Sequence, residues 1–130
     1  MEKDFNKVST KEKQKIIEKI KKILSKHKVY FAIIFGSFAT SNYFRDIDIV
    51  IKGLIDKKLI DELEKEIKFE IDLKDWDEIS LQMKYFALKE GIRIIFDEDV
   101  FIEERRKALN EYFDFQYIIN QYNELYISKI

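Results

Sequence analysis

Apolar positions recur along this chain with two periods, which separate predicted helices from predicted strands. Over residues 10–27 they lie three and four apart, as in an amphipathic helix, and Ser9 with Glu12 forms the capping-box signature of a helix start. Val29–Phe35 is a nearly continuous apolar run of strand length, typical of a strand covered on both faces. The chain therefore opens with a predicted helix and a buried strand.

The same patterns predict further strands and helices after Phe35. Three stretches have the length and alternation of strands: 46–51, 69–73 and 92–96. Asp56 is expected to cap one helix, and Asp77 or Ser80 to begin another, which ends at Gly91. Strands thus alternate with helices, as expected for an α/β fold.

The last predicted helix begins near Phe101, after a cap at Asp97 or Asp99, and runs towards Ile130. Its apolar stripe is long: Phe101, Ala108, Tyr112, Phe115, Ile119, Tyr122 and Tyr126, widened by Leu109, Phe113, Tyr117, Ile118 and Leu125. Plain core is one interpretation of this stripe. Because a single sheet cannot cover so much surface, we expect core in the first half of 101–130 and a protein interface in the second half.

Composition limits the classes of protein that fit. The 130 residues suit a single domain, 1–130, and 24 basic against 25 acidic residues do not indicate a nucleic-acid-binding face. Cysteine is absent, the N-terminus lacks the apolar core of a signal peptide, and no run is long enough to span a membrane. We expect a cytoplasmic protein that binds neither membrane nor nucleic acid directly, with self-association left open.

The stretch with the most chemistry joins the first two strands. Asp46 and Asp48 are two apart on a strand and so project to the same face, where paired carboxylates favour a divalent cation such as Mg²⁺. Upstream, Gly36 allows close approach of a ligand, and Ser37 offers a hydroxyl and an N–H that suit an anion. Arg45 is either a triphosphate contact or a solvated loop charge. Together these residues predict a nucleotide site.

A third metal ligand is expected on the next strand. Glu70 and Asp72 both alternate with apolar residues over 69–73 and therefore share a face. Either carboxylate could complete the site, and both could instead form the solvated face of an edge strand.

Gly36-Ser37, then Asp46-x-Asp48, then a lone aspartate on a further strand together resemble the minimal nucleotidyltransferases of the DNA polymerase beta superfamily. The resemblance favours Asp72 over Glu70. It extends from the first helix to the long helix after residues 90–96. It implies a polymerase-beta-like α/β fold, with a small mixed sheet of about four strands flanked by helices and a long C-terminal helix.

The resemblance also implies a function. Members of this family transfer a nucleoside monophosphate from a triphosphate, and some are antitoxins paired with HEPN-domain ribonucleases. We therefore expect Mg²⁺-dependent transfer of AMP from ATP to a hydroxyl, such as a tyrosine of a HEPN toxin. Asp46, Asp48 and Asp72 would be the catalytic residues and would hold two Mg²⁺ ions, while Gly36 and Ser37 would bind the phosphates.

The chain also departs from the family pattern. Many relatives have a basic residue near an Ala-Arg-Gly sequence after Gly-Ser, whereas Thr40 follows Ala39 here and only eight residues separate Ser37 from Asp46. Two alternatives are therefore kept. One is transfer to a small molecule, as in antibiotic nucleotidyltransferases, and the other is a non-catalytic protein that masks a toxin with its last helix.

Overall fold

The computed structural model describes residues 5–127, with side chains as far as residue 125. The elements in chain order are β1 Asn6–Lys7, α1 Thr10–Leu24, β2 Val29–Phe35, α2 Ser37–Thr40, β3 Tyr43–Phe44, β4 Ile47–Gly53, α3 Lys57–Glu66, β5 Ile71–Asp75, α4 Leu81–Glu90, β6 Ile92–Ile95 and α5 Glu98–Ile127. The predicted α/β class with a long C-terminal helix is confirmed. No helix within this described range is both long and apolar enough to cross a membrane.

Four strands form the main sheet, in the order β5, β4, β2, β6. β2 pairs antiparallel with β4 and β6, while β4 and β5 run parallel, which confirms a mixed sheet. The register places Asp48 of β4 opposite Phe35 on one side and opposite Asp72 on the other. Two predicted site residues on different strands are thereby brought side by side.

One face of the sheet is covered by α1 and α3. Both helices begin at side-chain caps, since Ser9 accepts from the Glu12 N–H and Asp56 accepts from the Leu59 N–H. Their buried residues pack against alternate residues of the strands: Ile20, Leu24, Leu59 and Leu63 against Ala32, Ile34, Ile47, Ile49 and Ile51. This face carries the larger part of the core.

The other face is covered by α4 and α5. Phe31 of β2 lies at its centre, with ring centroids 5.2 Å from Trp76 and 5.1 Å from Phe101. Ser80 caps α4, as one of the two predicted starts, and Gly91 ends it. Asp46 and Asp48 belong to the same side of β4 as Val50, which is buried in this cluster. Asp46 and Asp48 therefore lie on the same face of the sheet as this second core cluster, next to Val50.

The structure differs from the prediction at several boundaries. α1 ends at Leu24 rather than near His27, whose Nε2 lies 3.1 Å from a Glu62 carboxylate oxygen. Within the expected loop 41–45, β3 pairs with β1 to form a two-stranded ribbon that the sequence did not predict. Phe44 of this ribbon is buried, and its ring meets that of Phe38 edge-on at 4.8 Å.

α5 begins at Glu98, three residues before the predicted start, and Asp97 caps it by accepting from the Val100 N–H. Phe101 and Ala108 are buried, and Tyr112 stacks on Tyr85 of α4 with centroids 3.9 Å apart. Beyond this stack the apolar side chains are exposed: Phe113, Phe115, Tyr117, Ile118, Ile119, Tyr122 and Leu125. The predicted helix end at 128–130 and the Tyr126 side chain lie outside the described residues, and the interface in this half stays a prediction.

Candidate functional site

The turn after β2 brings the backbone against the start of β4. Gly36 adopts φ 75° and ψ −159°, a conformation available almost only to glycine. A β-carbon placed on Gly36 would overlap the Oδ2 atom of Asp48. Glycine is therefore required at position 36 both for the backbone conformation and for the space beside the carboxylate.

Three carboxylates converge next to this turn. Asp46 precedes β4, Asp48 lies within it, and Asp72 lies on the parallel neighbour β5. One oxygen of each lies within 4.8 Å of the others, and all three side chains are partly buried. Of the two candidates on the third strand, Asp72 joins this aspartate triad and Glu70 does not.

The triad is electrostatically strained. Burial, and then the negative charges of Asp46 and Asp72, raise the pKa of Asp48 to about 6. A hydrogen bond between the Asp48 and Asp72 side chains favours the protonated form further. An all-oxygen set of crowded carboxylates is the donor set that hard divalent cations prefer, so the residues present fit Mg²⁺.

Sequence reasoning missed one charged residue at the site. The Nζ atom of Lys74 lies 2.9 Å from Oδ2 of Asp72, and its positive charge lowers the pKa of Asp48, against the other influences. The two residues are two apart on β5 and hence on one face. That spacing was the signal that could have identified Lys74.

Ser37 is the first residue of α2 and is exposed beside the turn. The preceding Gly36 has no side chain to cap this helix, which leaves the first N–H groups of α2 to other acceptors. Lys13 of α1 holds the far end of α2, since its Nζ donates to the carbonyls of Ala39 at 3.4 Å and Ser41 at 3.2 Å. The segment that carries Ser37 is thus anchored to α1.

Arg45 directly precedes the triad in sequence, but its side chain is engaged elsewhere. Its guanidinium lies 4.9 Å from the ring centroid of Phe5. The Asn6 side chain also donates to the Arg45 carbonyl at 3.1 Å. This packing accounts for Arg45 without a ligand.

A cavity of about 420 Å³ lies on the other side of the molecule, and none of the triad residues lines it. Its walls include Lys15, Ile16, Lys19 and Phe69, beside α1 and the end of α3. The candidate site therefore lies at the start of β4 beside β5, and not in this cavity.

A model of the family described as polymerase beta, nucleotidyltransferase, matches residues 18–101 of the chain. The match includes the Gly36 turn, all three triad aspartates and Lys74. The sequence has no match among curated proteins.

Several solved structures resemble the fold. One contains a tri-AMPylated Shewanella oneidensis HEPN toxin in complex with an MNT antitoxin; the match has a TM-score of 0.63 and 21% identity, and covers 84% of this chain and 97% of that one. A second, described as a toxin–antitoxin with AMP-PNP, gives a TM-score of 0.62 and 22% identity over 84% of this chain and 96% of that one. A structure of the toxin–antitoxin pair MntA–HepT matches with a TM-score of 0.62 and 21% identity, and the match covers 83% of this chain and 97% of that one. At this identity the likeness establishes the fold.

Proposed function

Since this chain belongs to the polymerase beta nucleotidyltransferase family, we propose that it transfers AMP from ATP to a tyrosine hydroxyl of a HEPN-type toxin and acts as its antitoxin. The observation that carries the proposal is the convergence of Asp46, Asp48 and Asp72 within 4.8 Å, directly beside the Gly36 turn. Acidic ligands for a metal ion next to a backbone turn that admits phosphate are the two requirements of nucleotidyl transfer.

The triad would hold Mg²⁺, in the proposed reaction as two ions. When bound, Mg²⁺ neutralises charge on the triphosphate and lowers the pKa of the attacking hydroxyl. The fit rests on three carboxylates with oxygens within 4.8 Å of one another, because a site whose carboxylates repel one another gains most from a cation. The raised pKa of Asp48, caused by burial and then by its acidic neighbours, agrees with this. Without a cation, the same repulsion disfavours this close arrangement of the three carboxylates.

Gly36 and Ser37 are proposed to bind the phosphates. The missing side chain at Gly36 lets the backbone of the turn lie directly against the Asp48 carboxylate, and the Ser37 hydroxyl with the first N–H groups of α2 supplies donors. The anchoring of α2 by Lys13 would keep these donors in place during binding. Ordered donors reduce the entropy that phosphate binding costs.

The acceptor is proposed to arrive on another protein. The triad lies at the start of β4 and on β5, and its three side chains are only partly buried, so a residue of another protein can reach it. The matched structures include a tri-AMPylated HEPN toxin with an MNT antitoxin and a toxin–antitoxin with AMP-PNP. These proteins share the fold, and their full length corresponds to most of this chain, which supports the same type of partner and donor here.

The experiment is the intact mass of a HEPN partner encoded or purified with this protein, before and after incubation with Mg²⁺ and each nucleoside triphosphate in turn. We expect a gain of one or more AMP groups with ATP, mapped to tyrosine by peptide sequencing. Asp46→Asn and Asp48→Asn should abolish the gain without unfolding the chain. Residual transfer in the double variant would exclude the assigned metal ligands.

A second function is favoured by a separate observation, namely the exposed aromatic residues of α5. In this alternative the protein inhibits the toxin by covering it, without catalysis. Masking would persist in a chelator and in Asp48→Asn, and would fail when Tyr117 and Ile118 are replaced. Inhibition by modification would instead be lost in a chelator and in Asp48→Asn, so these two conditions separate the two functions.

A further inference from the structure

Lys74 lies beside the aspartate triad and contacts one of its members. Its ammonium is 2.9 Å from Asp72, and its side chain is about one-third exposed, at 30%. In the parallel register Lys74 lies opposite Val50, one step further along the sheet than the pair of Asp48 and Asp72. Lys74 therefore follows Asp72 on the same face of β5, and its ammonium reaches back to the Asp72 carboxylate.

The charges of this group are coupled. The hydrogen bond to Asp72, together with the charges of Asp72, Asp48 and Asp46, raises the pKa of Lys74. In return the lysine charge lowers the pKa of Asp48. Lys74 thus acts as a counter-ion built into the protein, which partly offsets the repulsion among the three carboxylates.

A metal ion at the triad and the ammonium of Lys74 would compete for the Asp72 carboxylate. An ammonium carries one positive charge on a flexible four-carbon stem with three rotatable donors, so it can move to another acceptor at little cost. A divalent ion offers the carboxylates more charge and direct ligation. Binding of the ion would therefore release the lysine head.

Two other cations, which contact or adjoin the segment between the Gly36 turn and the triad, are already engaged. Lys13 donates to the carbonyls of Ala39 and Ser41, and Arg45 lies over the Phe5 ring. Among the described residues Lys74 forms its ion pair with Asp72, and a polyanion binding beside the triad would offer the ammonium a second acceptor.

We propose that Lys74 is an exchangeable cation, which stabilises Asp72 before metal binding and moves to a triphosphate oxygen when the metal–nucleotide complex binds. This role rests on the nucleotidyl transfer proposed above. It makes Lys74 a nucleotide-binding residue of this chain.

The test compares Lys74→Met with Lys74→Arg and with Lys52→Met. Lys52 is a matched control, since it lies on the same sheet and forms an ion pair of 2.8 Å with Asp77, away from the triad. Mn²⁺ affinity is measured without nucleotide by electron paramagnetic resonance. Affinity for an ATP analogue that cannot be cleaved at the α,β bond is measured calorimetrically with Mg²⁺, and thermal unfolding verifies the fold of each variant.

The two affinities should change in opposite directions. Lys74→Met removes a competitor, so Mn²⁺ should bind about two- to fivefold tighter, as for loss of a partly exposed ion pair. The analogue should bind about tenfold more weakly, because one charge-assisted hydrogen bond is lost. Lys74→Arg should keep nucleotide affinity within about threefold, and Lys52→Met should leave both values unchanged.

Other results would overturn the role of Lys74. If Lys74→Met weakens both affinities together, the lysine only orders the triad, and if neither changes, the ion pair has no part in binding. Asp48→Asn separates this failure from failure of the proposed function. If the wild type binds Mn²⁺, Asp48→Asn does not, and Lys74→Met changes neither affinity, the role of Lys74 is rejected and the proposed function is not. If the wild type does not bind Mn²⁺, both are rejected.

Discussion

Gly36 lies so close to Asp48 that a β-carbon at position 36 would overlap the Oδ2 atom of the carboxylate. The contact joins the end of β2 to the start of β4, two strands that are already paired in the sheet. Any side chain at position 36 must therefore displace either the turn or the aspartate. This one contact links the backbone conformation of the turn to the geometry of the triad.

Gly36→Ala is expected to lower transfer about 100-fold or more, because a displacement of about 1 Å in a catalytic group costs that much. It should also destabilise the fold by about 1–3 kcal/mol, the cost of forcing a side chain into this backbone region. Transfer is measured by the intact-mass assay, and stability by thermal or urea unfolding.

Gly53→Ala is the matched control for this variant. Gly53 also has a positive φ, of 150°, and a β-carbon there would overlap the Lys28 carbonyl, away from the triad. It should lose stability by a comparable amount and retain transfer at temperatures where it is folded. A Gly36→Ala protein that transfers AMP at the wild-type rate would disprove the coupling between turn and triad.

Asp48→Asn is expected to stabilise the metal-free protein at neutral pH. Because the pKa of Asp48 is raised to about 6, the folded state retains a proton that the unfolded chain loses between about pH 4 and pH 6. Stability from this group is present at low pH and is lost as the pH rises through that window.

The free energy of unfolding of Asp48→Asn should therefore exceed that of the wild type by an amount that grows from about pH 4 to about pH 6 and then stays constant. We expect about 1–2 kcal/mol, allowing for solvent screening of this partly exposed carboxyl. Unfolding curves in a chelator measure it. Added Mg²⁺ should stabilise the wild type and not the variant. Parallel pH profiles of the two proteins would contradict the raised pKa.

Metal affinity is expected to fall below about pH 6. Metal ligands must be deprotonated, so a proton on Asp48 competes with the ion, by about tenfold per pH unit below the pKa. The apparent Mg²⁺ requirement for transfer should rise in acid, and excess Mg²⁺ should restore the rate there. A loss of rate at low pH that excess Mg²⁺ does not restore would assign the titration to another group.

Much of this fold could be predicted from local sequence signals. The helix caps at Ser9, Asp56 and Ser80 are short-range patterns. The strand Val29–Phe35 is a nearly continuous apolar run of strand length. The pairing of Asp46 with Asp48 follows from the two-residue period of a strand alone. These features depend only on neighbouring residues, which the sequence shows directly.

The remaining features depend on contacts between distant residues. The ribbon of Asn6–Lys7 with Tyr43–Phe44 is too short for any periodicity, and burial of Phe44 becomes visible only in the packed fold. The choice of Asp72 over Glu70 depends on the parallel register of β4 and β5. Pattern alone cannot give a register between strands that are separated by a helix.

The distal half of α5 is expected to bind the partner protein. Tyr117 and Ile118 are 65% and 63% exposed, and large apolar side chains at such density are typical of interface centres. Replacing both by serine, whose helix propensity is similar, should change the free energy of unfolding by less than about 0.5 kcal/mol. Affinity for the HEPN partner, measured by calorimetry, should fall about 30-fold or more if the pair is a hot spot.

Ile102→Ser is the control on the same helix, since Ile102 is 55% exposed but lies in the proximal half. It should leave partner affinity unchanged. Because the acceptor must reach the triad on the partner, loss of binding through α5 should raise the partner concentration needed for half-maximal AMP transfer, while the rate at saturation persists. Full affinity of the double variant, or an equal loss in Ile102→Ser, would place the partner on another surface of the domain.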